Sequence, residues 1–144
     1  MEYITHKRFK QKALCGNINI PATTICELVN NVITYRDQAI CLVTSENSHK
    51  YFARNDDGHG LLRGKLTQSI TKCLEKKDTN YQNRWNKVWQ DAVCQKYRRQ
   101  EHNDWWLWSH EFFNASIEDL KHIANIIGVK EADYNVSCYN IIRN

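Results

Sequence analysis

The chain has 144 residues, 42% hydrophobic and 25% charged, which is enough apolar material for one ordinary core and argues against wholesale disorder. Its formal charge of +4 is uneven: residues 1–104 carry the basic excess and residues 105–144 are net acidic. Pro21 is the single proline and no Gly/Ser/Pro-rich linker occurs, which excludes two beads on a string.

From the amino terminus, Met1–Lys7 lacks the apolar core of a signal peptide, and no apolar run approaches the roughly 20 residues that span a bilayer. A cytosolic protein with no membrane partner is therefore expected, with its six cysteines reduced. Lys7-Arg8-Phe9-Lys10-Gln11-Lys12 forms a first basic cluster. Residues 12–53 read as a β-meander. Asn17-Ile18-Asn19-Ile20 alternates polar and apolar before Pro21, and Thr23–Val29, Val32–Tyr35 and Ala39–Thr44 are β-branched runs. Asn30-Asn31 and Arg36-Asp37-Gln38 supply the turns between them. Four or five short strands predict a small antiparallel sheet or barrel that needs cover on its open face.

After a glycine-rich junction the period changes. Leu62, Leu66, Ile70 and Leu74 recur every four residues, which predicts one helix, with Cys73 alongside. A second helix is expected from a cap at Asp78 or Thr79, with Tyr81, Trp85, Val88, Trp89 and Ala92 on one face. The third carries the fullest local grammar: Ser116 as cap, Ile117 first, Asp119 at the capping-box position and Gly128 as stop. Between the last two, Asp104–Phe113 packs five aromatics into nine residues, read as a plug joining sheet to helices and opened as a short helix by Asp104. Tyr134–Ile142 is expected to end the chain as a strand. The fold predicted is α+β, a single domain over 1–144, β-rich over 1–55 and mainly helical over 56–144, with about three helices packed on the sheet.

The junction from Arg54 through Asp56, Asp57, Gly58, Gly60 and Arg63 to Lys65 holds three of the five glycines within seven residues. A phosphate loop needs four residues between its glycines and a hydroxyl after the lysine; here Gly58 and Gly64 are separated by five, Gly60 and Gly64 by three, and Leu66 follows Lys65. A turn that feeds a strand into a helix is the simpler reading, with Asp56-Asp57 serving helix-start electrostatics. An enzyme site at Asp56–Lys65 ranks behind it. Cys15, Cys26, Cys41 and His49 could together hold structural zinc, but their spacing matches no common finger. No other cofactor is implied. Lys96, Tyr97, Arg98 and Arg99, with Arg84 and Lys87, form a second basic region. With Lys7, Arg8 and Lys10 they would serve a nucleic acid or an acidic protein partner, although no DNA- or RNA-binding signature occurs.

Tyr3–Lys10, Ala13–Gly16, Thr44–Asn47, Phe52–Gly58, Arg63–Gln68, Trp106–Trp108 and Phe112–Ala115 together resemble a family of small proteins encoded by phages and prophages of Gram-positive bacteria. The resemblance covers nearly the whole chain. It implies a phage accessory factor that works by binding a host or defence protein, as an anti-CRISPR inhibitor does. A nucleic-acid-binding phage factor is the alternative.

Overall fold

Short β-branched runs, punctuated by residues that tolerate positive φ, build the amino-terminal part of the molecule. The structure is a computed structural model that describes residues 1–99, 108–136 and 140–143. Its strands are β1 (Glu2–Thr5), β2 (Phe9–Ala13), β3 (Gly16–Ile20), β4 (Ile25–Val29), β5 (Val32–Tyr35), β6 (Gln38–Leu42) and β7 (Phe52–Arg54). Its helices are α1 (Glu46–Tyr51), α2 (Gly60–Glu75), α3 (Tyr81–Gln90), α4 (Ala92–Gln95), α5 (His110–Phe113), α6 (Ile117–Ile127) and α7 (Glu131–Tyr134). The architecture is α+β, as the sequence pattern predicts. The chain divides within α2 into two compact units, Met1–Gly64 with Val136–Asn144, and Lys65–Asn135.

In the first unit a five-stranded antiparallel sheet runs in the order β6-β5-β4-β1-β7, and β2 and β3 form a separate hairpin. The tight turns are where the asparagines predict them. Asn30 and Asn31 take φ of 50° and 65°, and Arg36 and Asp37 take 51° and 63°, the left-handed geometry that matches strand twist. The hairpin tip joins β6 through Leu14 N–H to Ile40 C=O and Cys15 N–H to Ala39 C=O, each 2.9 Å. That union curls the sheet around one core of Tyr3, Phe9, Ile20, Cys26, Ile33, Tyr35, Ile40, Cys41, Val43 and Phe52. On the opposite face Ile4 and Ile25 pack with Leu61 from the first turn of α2, and Val136 joins them. Central β1 is therefore buried on both faces.

The end of the chain is tied to the same unit. Ile142 bridges Thr24 in parallel, and Thr23 Oγ1 donates to Asn140 C=O at 2.6 Å. Thr23 holds φ of 61°, a strained value for a β-branched residue, and its main chain is fixed by Thr5 and Ile142 on either side. The strand expected over Tyr134–Ile142 is thus a single bridge: Tyr134 closes helix α7 instead, and residues 137–139 lie outside the described set.

The second unit is helical, and its best-formed element is the one with the clearest grammar. Ser116 accepts the Asp119 N–H at 3.1 Å to start α6, and Gly128 ends it at φ 87°. Leu120, Ile123, Ala124 and Ile127 are its buried face. The second expected helix is not continuous. Asp91 leaves the helical region at ψ 128°, and its side chain caps the Cys94 N–H, so α3 stops and α4 starts there. Neither Asp78 nor Thr79 is the cap of α3; Asn80 occupies that position, while Asp78 pairs with the buried Arg84 at 2.8 Å. Trp108 stacks on Phe112 with ring centroids 4.1 Å apart, and Tyr97 meets Phe112 edge-on at 6.4 Å. Ser109 stands at the start of α5; the expected cap Asp104 lies outside the described residues, as do Trp105, Trp106 and Leu107 of the anticipated plug. Among the described residues seven helices, four of them only four to six residues long, replace the three expected.

Candidate binding surface

The glycine junction ties its polar groups to neighbouring residues. As β7 ends, the buried Asn55 amide donates to Glu2 Oε2 and accepts the Gly60 N–H, both at 2.8 Å. Asp56 Oδ1 accepts the Glu2 N–H at 2.8 Å. Asp57 accepts the His59 N–H at 3.0 Å and grips Arg63 through both guanidinium arms, at 3.2 and 2.5 Å. Arg63 is fully buried and also donates to Arg54 C=O at 2.6 Å. The hydrogen bonds from Arg63 hold the Asp57 carboxyl well below the usual carboxylate range. Asp56 and Asp57 therefore act through these specific bonds, and the first turn of α2 contains no acidic residue.

The glycines of this loop have separate causes. Gly58 needs φ of +77° for the turn. Gly60 faces the sheet so closely that an added Cβ would come 2.5 Å from Ile4 Cγ2 and 2.7 Å from Asn55 Oδ1. Gly64 meets the His6 ring in the same way. Lys65, the next residue on α2, is exposed. The loop works as a latch from strand to helix.

The hairpin does the opposite. Its two-residue tip, Leu14-Cys15, is closed by Gly16 at φ 108°, and the register pairs Lys10 with Asn19 and Lys12 with Asn17. Alternation sends Phe9 and Ile20 into the core, Phe9 meeting Tyr51 edge-on at 5.0 Å. Lys10, Lys12, Asn17 and Asn19 fall on the exposed face. Arg8 joins them, donating to Asn19 Oδ1 at 2.8 Å, and Lys7 lies 4.9 Å over the Tyr51 ring. Leu14 at the tip is 64% exposed. No Asp or Glu occurs between Glu2 and Glu27, so nothing on the ribbon neutralises its own cations. The result is a basic platform, anchored at its tip, with one apolar residue at its end.

The second basic cluster is knitted into its own unit. Lys96 Nζ lies 3.6 Å from Asp119, and Tyr97 Oη donates to the same carboxylate at 2.5 Å. Burial, then Asp119, pushes the Tyr97 phenol up to about 12. Arg98 lies 4.1 Å over the Trp89 ring, while Arg99 is exposed. Of the associated residues, Arg84 is buried against Asp78 and Lys87 is exposed beside a shallow depression with Gln90, Asp91, Asn125 and Ile126. The two basic clusters belong to different units.

The cysteine and histidine set does not assemble. Cys15 is exposed in the hairpin tip, Cys26 and Cys41 lie in the core, and His49 is on α1. Among the described residues no three His, Cys, Asp or Glu side chains group as metal ligands would. Burial pushes the Cys26 thiol up to about 12 and raises Cys41 as well, which keeps both protonated and core-like. No helix among the described residues is long and apolar enough to cross a membrane.

Sequence reasoning placed Lys7, Arg8, Lys10 and Lys12 in one basic cluster but did not join Leu14, Asn17 and Asn19 to it. The signal was there in the alternation Phe9-Lys10-Gln11-Lys12-Ala13, a strand period inside what reads as a charge cluster. Comparison of the chain with protein-family models, curated proteins and solved structures returns no match.

Proposed function

We propose that this protein works by binding: a phage accessory factor that docks on a host or defence protein, in the manner of a counter-defence inhibitor such as an anti-CRISPR. One observation carries the reading. The hairpin presents Arg8, Lys10 and Lys12 on an anchored ribbon with Leu14 exposed at its tip, while Asn55, Asp56 and Asp57 of the junction loop are bonded to Glu2, Gly60 and Arg63. A fixed basic face steers an acidic partner and sets its orientation, and an exposed apolar side chain at its rim adds contact area.

Affinity capture from infected cells, read by mass spectrometry, tests this. A protein retained by the wild type and lost from Lys10→Glu/Lys12→Glu is the expected result. Retention of nothing specific, or equal retention by the variant, removes the hairpin reading.

A second reading has its own observation. Lysines and asparagines face each other across a two-stranded ribbon, an arrangement that suits phosphates and groove edges. A salt-dependent gel shift abolished by Lys10→Glu/Lys12→Glu would promote it. Arg98→Ala/Arg99→Ala is the companion variant, and it reports on the second unit.

A further inference from the structure

The hairpin has a property beyond its charge, and it identifies the kind of partner. Resting on the binding reading above, we infer that β3 is an open strand edge that accepts an acidic, extended peptide segment of the partner protein by strand addition.

The argument starts from the turn. A two-residue connection makes Ala13 and Gly16 a hydrogen-bonded pair, and bonded and non-bonded pairs then alternate along an antiparallel ladder. Gln11–Ile18 and Phe9–Ile20 are therefore bonded, whereas Lys12–Asn17 and Lys10–Asn19 are not. The main-chain N–H and C=O of Asn17 and Asn19 point away from β2. Among the described residues β3 pairs with β2 alone, and both asparagines are exposed. At the far side of the ribbon the turn residues Leu14 and Cys15 bond to Ile40 and Ala39 of β6, and the β2 edge itself carries Lys10 and Lys12, residues of the kind that blunt an edge. The open edge is thus held in place by the core and is not a loose flap.

Edge strands invite pairing, and natural proteins blunt them when no pairing is wanted, with lysine, proline or a bulge on the edge itself. β3 carries none of these over Gly16–Ile20, and Pro21 comes only after it. Strand addition draws affinity from main-chain bonds and selectivity from alternate side chains. Here the flanking side chains are Arg8, Lys10 and Lys12, with no carboxylate between Glu2 and Glu27, so the selected occupant alternates acidic residues. A nucleic acid would meet the charge but leave the outward main-chain groups of Asn17 and Asn19 without matching partners. The exposed face of the ribbon also offers no aromatic ring for base stacking.

The test uses the full chain and a fluorescein-labelled peptide that alternates glutamate and valine. A copy of that peptide with alternate amides N-methylated and an oligothymidylate of equal charge serve as comparison probes. Asn19→Pro removes one outward N–H at a position where the β2 ladder needs none. Asn19→Ser loses the side-chain amide but keeps the N–H. The acidic peptide is expected to bind the wild type and Asn19→Ser alike, and to bind Asn19→Pro and Lys10→Glu/Lys12→Glu at least tenfold more weakly. The N-methylated copy should show the same loss, and thermal melts should show Asn19→Pro folded.

Equal binding to Asn19→Pro and to the N-methylated probe overturns strand addition and leaves charge alone. Tighter binding of the oligothymidylate than of the acidic peptide overturns the peptide occupant in favour of nucleic acid. If neither probe binds, the inference is wrong. Captured partner that still depends on Lys10 and Lys12 would then show that the binding reading survives it.

Discussion

The junction loop and the hairpin are both short, polar and rich in turn residues, yet they use those residues in opposite directions. In the loop, Asp57 faces Arg63, Asn55 faces Gly60 and Asp56 faces the Glu2 amide, so these three side chains bond within the fold. In the hairpin, the inward positions are Phe9 and Ile20, and the charged residues are left to water. The lesson is that a motif's composition says little about whether it acts outward. What decides is whether neighbouring elements supply partners at hydrogen-bonding distance.

The largest break in that contrast comes from Asp57→Ala, which leaves the Arg63 guanidinium buried without its carboxylate. Removing one partner of a fully buried pair costs about 3–5 kcal/mol. Because the Asp57 side chain is 38% exposed, a smaller loss of about 2–3 kcal/mol in urea unfolding is expected. Next, Gly60→Ala should lose about 1–3 kcal/mol by overpacking against Ile4 and Asn55. Gly58→Ala meets open space and should lose only about 1–2 kcal/mol through its positive φ. A larger loss at Gly58 than at Gly60 would show that the loop is not packed on the sheet as described.

The same pair sets a pH dependence. With its folded pKa depressed below the ordinary 3.8, Asp57 releases its proton more readily in the native state than in the unfolded chain. Its stabilisation is complete above the unfolded value and is lost as pH falls below about 4 toward the native value. Acid titrations of stability should therefore flatten in Asp57→Asn. An unchanged acid limb would place the dependence on another carboxylate.

The smallest expected stability effect is in the hairpin. Lys10→Glu/Lys12→Glu should stay within about 0.5 kcal/mol of the wild type, since both side chains are exposed. A large destabilisation there would mean that the hairpin, like the loop, serves the fold first.

How far these roles could be read from residues alone depends on where each one gets its partners. The ends of α6 were legible because Ser116 and Gly128 act on backbone within four residues of themselves. The turns at Asn30-Asn31 and Arg36-Asp37 were legible for the same reason. Strand β1 was not, because Tyr3 and Ile4 are buried on opposite faces and so show no alternation. α1 hid behind only six residues, although Ser45 caps the Ser48 N–H and Glu46 pairs with Lys50 one turn on. The junction was legible as a turn, but nothing local reveals that Glu2, more than fifty positions earlier, accepts from Asn55 and donates its N–H to Asp56. The break between α3 and α4 was likewise unreadable, since Asp91 also answers to His122 on α6 at 2.8 Å.

One cysteine gives the hairpin a practical consequence. Cys15 is exposed at the tip beside Leu14, whereas Cys26, Cys41 and Cys94 are enclosed, and their thiols are raised by burial. A maleimide dye should favour that position over the enclosed three, and Cys73→Ser/Cys138→Ser removes the two remaining thiols that could compete. The fluorophore would then sit at the ribbon's end, where quenching or polarisation reports an arriving ligand directly.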